Sequence, residues 1–169
     1  MADKEAFTVK IEGLEALDRK LRELPEKVGR RAMRRALRKG ATIVRREARS
    51  GAQKLDDPRT SNSIAKNIAI RNGGTKRERA EGGPVLRVGV LGGARDYSAH
   101  GEIGTGKSGK ENPGGSTFYW RFLEFGTQSI APRGFMRSAM ERSTSKVFDA
   151  VATAMSSELD KELRKAGAL

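Results

Sequence analysis

"EKVGRRAMRRALRKGATIVRREARSG", residues 26–51, is the most regular stretch of the chain and decides its class. Met33, Ala36, Leu37, Gly40, Ile43 and Val44 recur at steps of one, three and four. At roughly 100° per residue they gather on one side of a helix. Lys27, Arg31, Arg34, Arg38, Arg45 and Arg49 fall on the opposite side. Gly40, in the middle of the apolar stripe, costs about 1 kcal/mol in helix propensity. Close approach of another backbone is the expected compensation. Pro25 suits a first helical turn or a kink, and Gly51 is a natural terminator.

Upstream, "AFTVKIEG" (residues 6–13) alternates Phe7, Val9 and Ile11 with polar residues, the pattern of a strand with one buried face. Leu14, Leu17, Leu21 and Leu24 then follow helical steps as far as Pro25. Downstream, Asp57-Pro58 marks a turn, and Thr60 or Ser61 is placed to cap a short helix. That helix leads into a strand around residues 67–71. "VLRVGVLGG" (residues 85–93) is the next strand, and "NGGTKRERAEGGP" (residues 72–84) joins the two as a long-tipped antiparallel hairpin. Residues 92–117 are nearly all small, polar or glycine and read as a flexible loop or arm.

"FYWRFLEFGT" (residues 118–127) is the only aromatic-dense stretch, with aromatics at both odd and even positions. It reads as a central strand buried on two faces. Glu124 would then be a carboxylate near the core, with Arg133 or Arg137 as its partner. Phe135, Met136, Met140, Val147, Val151, Met155 and Leu159 mark a long C-terminal helix. The order of elements predicts an α+β fold in one domain, residues 1–169. It is a small, mainly antiparallel sheet packed by a long N-terminal and a long C-terminal helix, with a long Gly-rich loop.

Composition narrows the chemistry. The 169 residues carry 34 Lys plus Arg against 21 Asp plus Glu, a net charge of +13, which attracts polyanions or acidic protein surfaces. With no cysteine, disulfides, thiolate metal sites and cysteine nucleophiles are excluded. A single histidine, His100, argues against a histidine metal site or a Ser-His-Asp triad. No apolar run approaches the ~20 residues of a membrane span, and "MADKEAFTVK" lacks a signal-peptide core. No membrane partner, metal or cofactor is expected.

"GEIGTGKSGK" (residues 101–110) spells a phosphate-binding loop with Gly101, Gly106, Lys107 and Ser108. A working loop joins a buried strand to a helix whose N-terminus faces the phosphates. Here "ARDYSAH" precedes it and "GKENPGGST" follows, so both flanks are missing and the string reads as a chance match. The adjacent Asp56 and Asp57 read as turn residues rather than a catalytic pair. The basic face of residues 27–49 leaves three readings open. It could lie along a phosphate backbone, form a solvated surface whose stems cover the core, or dock on an acidic partner.

Three blocks together resemble a known family. "EGLEALDRKLRELPEKVGRRAMRRALRKGATIVRREAR", "DDPRTSNSIAKNIAIR" and "FLEFGTQSIAPRGFMRSAME" are similar, in order, to the gene-10-product-like tail-component family of long-tailed bacteriophages. The resemblance covers residues 12–72 and 118–160. It departs at Gly134, where the family usually has proline, and at Thr60-Ser61, where Thr-Gly is common. Residues 92–117 look like a variable insertion. The resemblance implies a structural, non-enzymatic virion protein of the neck or tail, acting in tail completion and head–tail joining. It is assembled in the host bacterial cytoplasm as a ring, sixfold in expectation. A tail terminator that caps tube growth is the near alternative, and a basic DNA-binding accessory protein the distant one. Implied partners are other copies of the chain and tail-tube, terminator or head-connector proteins, with non-specific contact to passing DNA. Candidate interface residues are Arg31, Arg34, Arg38, Arg45, Arg49, Trp120, Glu124, Phe125, Gly126, Thr127, Arg133 and Phe135.

Overall fold

In the computed structural model, the described residues are Arg22, residues 25–91 and residues 113–165. The expected first strand and most of the helix before Pro25 lie outside them, as do His100 and the phosphate-loop string. Seven elements follow in chain order: α1 (Glu26–Gln53), α2 (Ile64–Asn67), β1 (Ile68–Asn72), α3 (Thr75–Ala80), β2 (Leu86–Val90), α4 (Trp120–Phe125) and α5 (Phe135–Lys165). The architecture is α+β: two long helices pack on a two-stranded antiparallel sheet.

Helix α1 begins directly after Pro25, whose carbonyl accepts from the backbone N–H groups of Val28 and Gly29. Its buried stripe is Gly29, Ala32, Ala36, Gly40, Val44, Ala48 and Ala52. Nearly all are small, so α5 can lie close against it. A Cβ on Gly40 would stand 2.6 Å from Val151 Cγ2 and 3.0 Å from Val147 Cγ1. The compensation for Gly40 is therefore mainly the approach of two valine side chains, with the Val147 carbonyl oxygen next at 3.5 Å. Gly51 does not end the helix, which runs on to Gln53. Its missing side chain admits Phe135, whose Cβ lies 3.3 Å from a Cβ built there.

Gly51 against Phe135, Gly40 against Val151 and Arg35 against Glu158 place α1 and α5 antiparallel along their lengths. Arg35 Nη1 donates to Glu158 Oε2 at 3.0 Å and Glu162 Oε1 at 2.9 Å, clipping the far end. One apolar cluster joins Ala48, Ala52, Ile64, Ala65, Ile68, Phe135 and Ala139. A second, at the Arg35 end, joins Ala32, Leu159 and Leu163.

Asp56 starts the segment between the helices. Its carboxylate accepts from Ser63 Oγ at 2.8 Å and from the Ile64 N–H at 2.7 Å. Ser63, rather than Thr60 or Ser61, caps α2, with its side chain accepting from the Lys66 N–H. The strands pair in the register Ile68–Val90, Ile70–Val88 and Asn72–Leu86. Alternation turns these residues toward the helices and leaves Ala69, Arg71, Arg87 and Gly89 on the outer face. The hairpin tip contains α3. The described end of the 92–117 stretch is anchored. Gly114, Gly115 and Thr117 are buried, and the Gly114 N–H donates to Asn67 Oδ1 at 2.6 Å.

Candidate functional site

The strand expected over residues 118–127 is instead a short helix, α4, followed by a tight corner. A two-stranded sheet offers no slot for another central strand, and Gly126 gives a helix its stop. The Gly126 N–H donates to the Phe122 carbonyl at 2.9 Å, and Gly126 adopts φ 78°, a conformation that favours glycine. A Cβ there would lie 2.8 Å from the Ile130 carbonyl oxygen. The Thr127 N–H donates to that same oxygen, and Thr127 Oγ1 accepts from the N–H groups of Ser129 and Ile130.

Each residue of the corner has a separate task. Leu123 packs into the main cluster with Trp120 and Tyr119. Burial pushes the Tyr119 hydroxyl above its ordinary pKa, with the charges of Asp56 and Asp57 adding. Glu124 is buried, but its partner is not the side chain of Arg133 or Arg137. Its carboxylate accepts from the backbone N–H groups of Met136 at 2.8 Å and Arg137 at 3.0 Å. A buried anion on free N–H groups of the first turn is a favourable helix cap. The Arg133 N–H donates to the Leu123 carbonyl at 2.7 Å, closing the corner. Gly134 adopts φ 54°, which proline cannot reach, so this chain turns into α5 differently from the proline pattern.

Three large apolar side chains are displayed at the corner, beside exposed Arg121, Gln128 and Ser129. Phe125 is 65 % exposed, Ile130 41 % and Phe122 39 %. Phe125 leans on Trp120 with ring centroids 6.4 Å apart, and Phe118 meets Phe122 edge-on at 6.5 Å. These contacts hold the exposed rings on a fixed platform. Phe135, another candidate interface residue, is buried beneath it in the main cluster.

The arginine side of α1 lies against the hairpin. Arg34 Nη2 meets Glu78 of α3 at 3.0 Å, Arg38 Nη2 reaches Asn72 Oδ1 at 3.5 Å, and Arg49 donates twice to the Ile68 carbonyl, at 2.9 and 3.2 Å. Burial pushes the Arg49 guanidinium below its ordinary pKa, and the charge of Arg45 adds to this. Arg31 is exposed and Arg45 half-buried. Among the described residues the buried side-chain polar atoms without a hydrogen bond are Arg34 Nε and Trp120 Nε1.

A second apolar surface is a groove of about 740 Å³ between α1, β2 and α5, lined by Leu37, Val44, Leu86, Val88, Met140 and Val151 among others. Among the described residues no group of three or more His, Cys, Asp or Glu is placed to hold a metal ion. No helix of the described residues is long and apolar enough to cross a membrane.

A family model described as a Bacteriophage HK97-gp10 tail-component matches residues 15–126. The chain belongs to the HK97-gp10-like family. It is a bacteriophage tail component, a virion protein. The match runs from before α1 through the hairpin to the end of α4, so it includes the arginine helix and Glu124 but stops at Gly126. No match is found among curated proteins or among solved structures.

For this HK97-gp10-like chain, sequence reasoning singled out residues 118–127 and read their conformation wrongly. It also missed the groove, which is built from three elements distant in sequence. The signal for Phe125 was available in the glycine after it: a helix ending at Gly126 turns its last residue outward.

Proposed function

We propose that this tail component is a structural subunit of a head-to-tail ring at the phage neck or tail end, acting in tail completion and head–tail joining. The exposure of Phe125 on a rigid corner carries the reading. Aromatic side chains of this kind are enriched in the buried cores of protein interfaces. The apolar groove is a different surface, concave where the corner is convex. A projecting patch on one copy that seats in a recess of the next gives a heterologous contact, which generates a ring when the rotation closes. No catalytic step is assigned to the chain.

Electron microscopy of lysates from a phage lacking this gene tests the role. Filled heads beside free tails of normal length support joining or completion. Tails of uncontrolled length would make the chain a tail terminator. Intact infectious particles would remove it from the neck altogether. The ring contact is tested with purified protein: the wild type assembles into rings, and Phe125→Glu stays monomeric with an unchanged far-UV circular dichroism spectrum.

A further inference from the structure

The outer face of the β1–β2 ribbon has a composition that neither the fold nor the proposed ring contact uses. Arg71 and Arg87 are direct cross-strand partners, and both are exposed. Like charges placed directly opposite on a ribbon destabilise it. No carboxylate relieves them: among the described residues neither arginine has an ion-pair partner. Arg87 Nη2 reaches only the Asn72 carbonyl, at 3.4 Å, and Arg38 reaches the side chain of the same asparagine. Arg38 belongs to the helix-facing side of the ribbon, so the outer face carries the Arg71–Arg87 pair.

The hairpin as a whole is basic, although Arg77 and Glu81 turn to the groove side. Residues 66–90 hold Lys66, Arg71, Lys76, Arg77, Arg79 and Arg87 against Glu78 and Glu81 only. Glu78 is already occupied by Arg34. Beside the arginine pair the ribbon is floored by Ala69 and Gly89, and a Cβ at Gly89 would meet nothing within 4 Å. The face is therefore cationic, open and low.

We infer that this ribbon face is a contact site for the phosphate backbone of double-stranded DNA. An acidic protein surface is the other class of polyanion, and the same observations disfavour it. Stable protein interfaces are built around aromatic or aliphatic anchors, and this face has none. Among the described residues the exposed large apolar side chains lie elsewhere, at the α4 corner, in the groove and on α5. Exposed arginines over small residues supply counterion release from phosphates, a term that is independent of sequence. This inference does not depend on the ring.

The test is fluorescence anisotropy of the full chain with two labelled 30-base-pair duplexes of unrelated sequence, over a range of salt concentrations. Both duplexes are expected to give the same affinity and the same salt slope. In Arg71→Ala/Arg87→Ala the slope of log K against log[salt] falls by about 2, since each phosphate contact contributes about 0.9. The charge-preserving Arg71→Lys/Arg87→Lys retains the slope. The control Arg142→Ala/Lys146→Ala, which removes the same charge from α5, leaves it unchanged, and thermal melts check that every variant is folded. An equal loss in the control would overturn the site in favour of diffuse net charge. Absence of duplex binding, with binding to polyglutamate that the ribbon variant loses, would overturn it in favour of an acidic protein partner.

Discussion

Glu124 Oε2 accepts the backbone N–H of Met136 at 2.8 Å, so a carboxylate on one helix caps the start of another. Its second oxygen takes the Arg137 N–H. The pair fixes the angle at which α4 leaves the core, and with it the position of the exposed Phe125. Glu124→Ala strands two N–H groups in a buried place and is expected to lower stability by about 2–4 kcal/mol. Glu124→Gln keeps one acceptor and should lose about half of that. Urea unfolding of the two variants measures this ordering, and equal losses would mean that a single neutral acceptor recovers nothing and that the charge carries the whole effect.

Gly40 sets the separation of the long helices. Gly40→Ala gains about 1 kcal/mol in helix propensity but forces a methyl against Val151, and overpacking of this kind costs about 1–3 kcal/mol. A net loss is expected. The clash is specific to one neighbour, so Gly40→Ala combined with Val151→Ala should be less damaging than the sum of the two single changes. Strict additivity in a double-mutant cycle would show that α1 and α5 do not meet there.

Arg35 carries the pH dependence of the α1–α5 clip. Hydrogen bonds from Arg35, then from Lys161 and Lys165 respectively, hold Glu158 and Glu162 below the ordinary carboxylate pKa. A carboxylate whose pKa is depressed on folding contributes stability above its unfolded value, about 4.3 for Glu. That contribution is lost as pH falls through the depressed folded value. The melting temperatures of wild type and Arg35→Ala should therefore differ by a constant amount near neutrality and converge as pH drops below the usual glutamate range. A difference that persists unchanged in acid would assign the effect to packing of the arginine stem.

Asn67 is fully buried and donates from Nδ2 to the Gly115 carbonyl at 2.8 Å and to Thr117 Oγ1 at 2.7 Å. Asn67→Ala leaves these groups and the Gly114 N–H without partners and is expected to cost about 3 kcal/mol or more. Gly114→Ala should be comparably harmful, because its Cβ would overlap the Ser63 carbonyl oxygen. Thermal unfolding of both variants checks this. A neutral Gly114→Ala would mean that the segment at Gly114 is not seated against Ser63.

Relief of the Arg71–Arg87 repulsion should stabilise the isolated protein. Arg87→Thr places a good strand former opposite Arg71 and is expected to add up to about 1 kcal/mol, or about 2–4 °C in melting temperature. Calorimetry at low and high salt separates the causes: a gain that shrinks with added salt is electrostatic.

The long helices were legible because a stripe of apolar and small residues at helical steps has no other use. The hairpin was legible from two β-rich runs around a glycine-bounded connection. The region from Phe118 to Thr127 was not, because six aromatic or leucine side chains in eight residues erase any period. Which of them is buried depends on Phe135 and Ala139, elements later in the chain. The arginines of α1 taught a different lesson. A helical wheel separates polar from apolar sides, but Arg34, Arg38 and Arg49 find Glu78, Asn72 and Ile68, partners that only the folded hairpin brings near. Asp56 was read as a turn residue; its task as the acceptor for Ser63 and Ile64 lies seven and eight residues downstream.

Asn67 ties two distant parts of the chain together. Its backbone carbonyl accepts the Leu91 N–H at 2.8 Å, and its side chain accepts the Gly114 N–H. One residue thus holds both ends, as a buckle holds the two ends of a strap. The two halves of the buckle are chemically unlike: any amino acid at this position keeps the carbonyl half, and a carboxamide supplies the other. Mutation at position 67 therefore unfastens Gly114 and leaves Leu91 held.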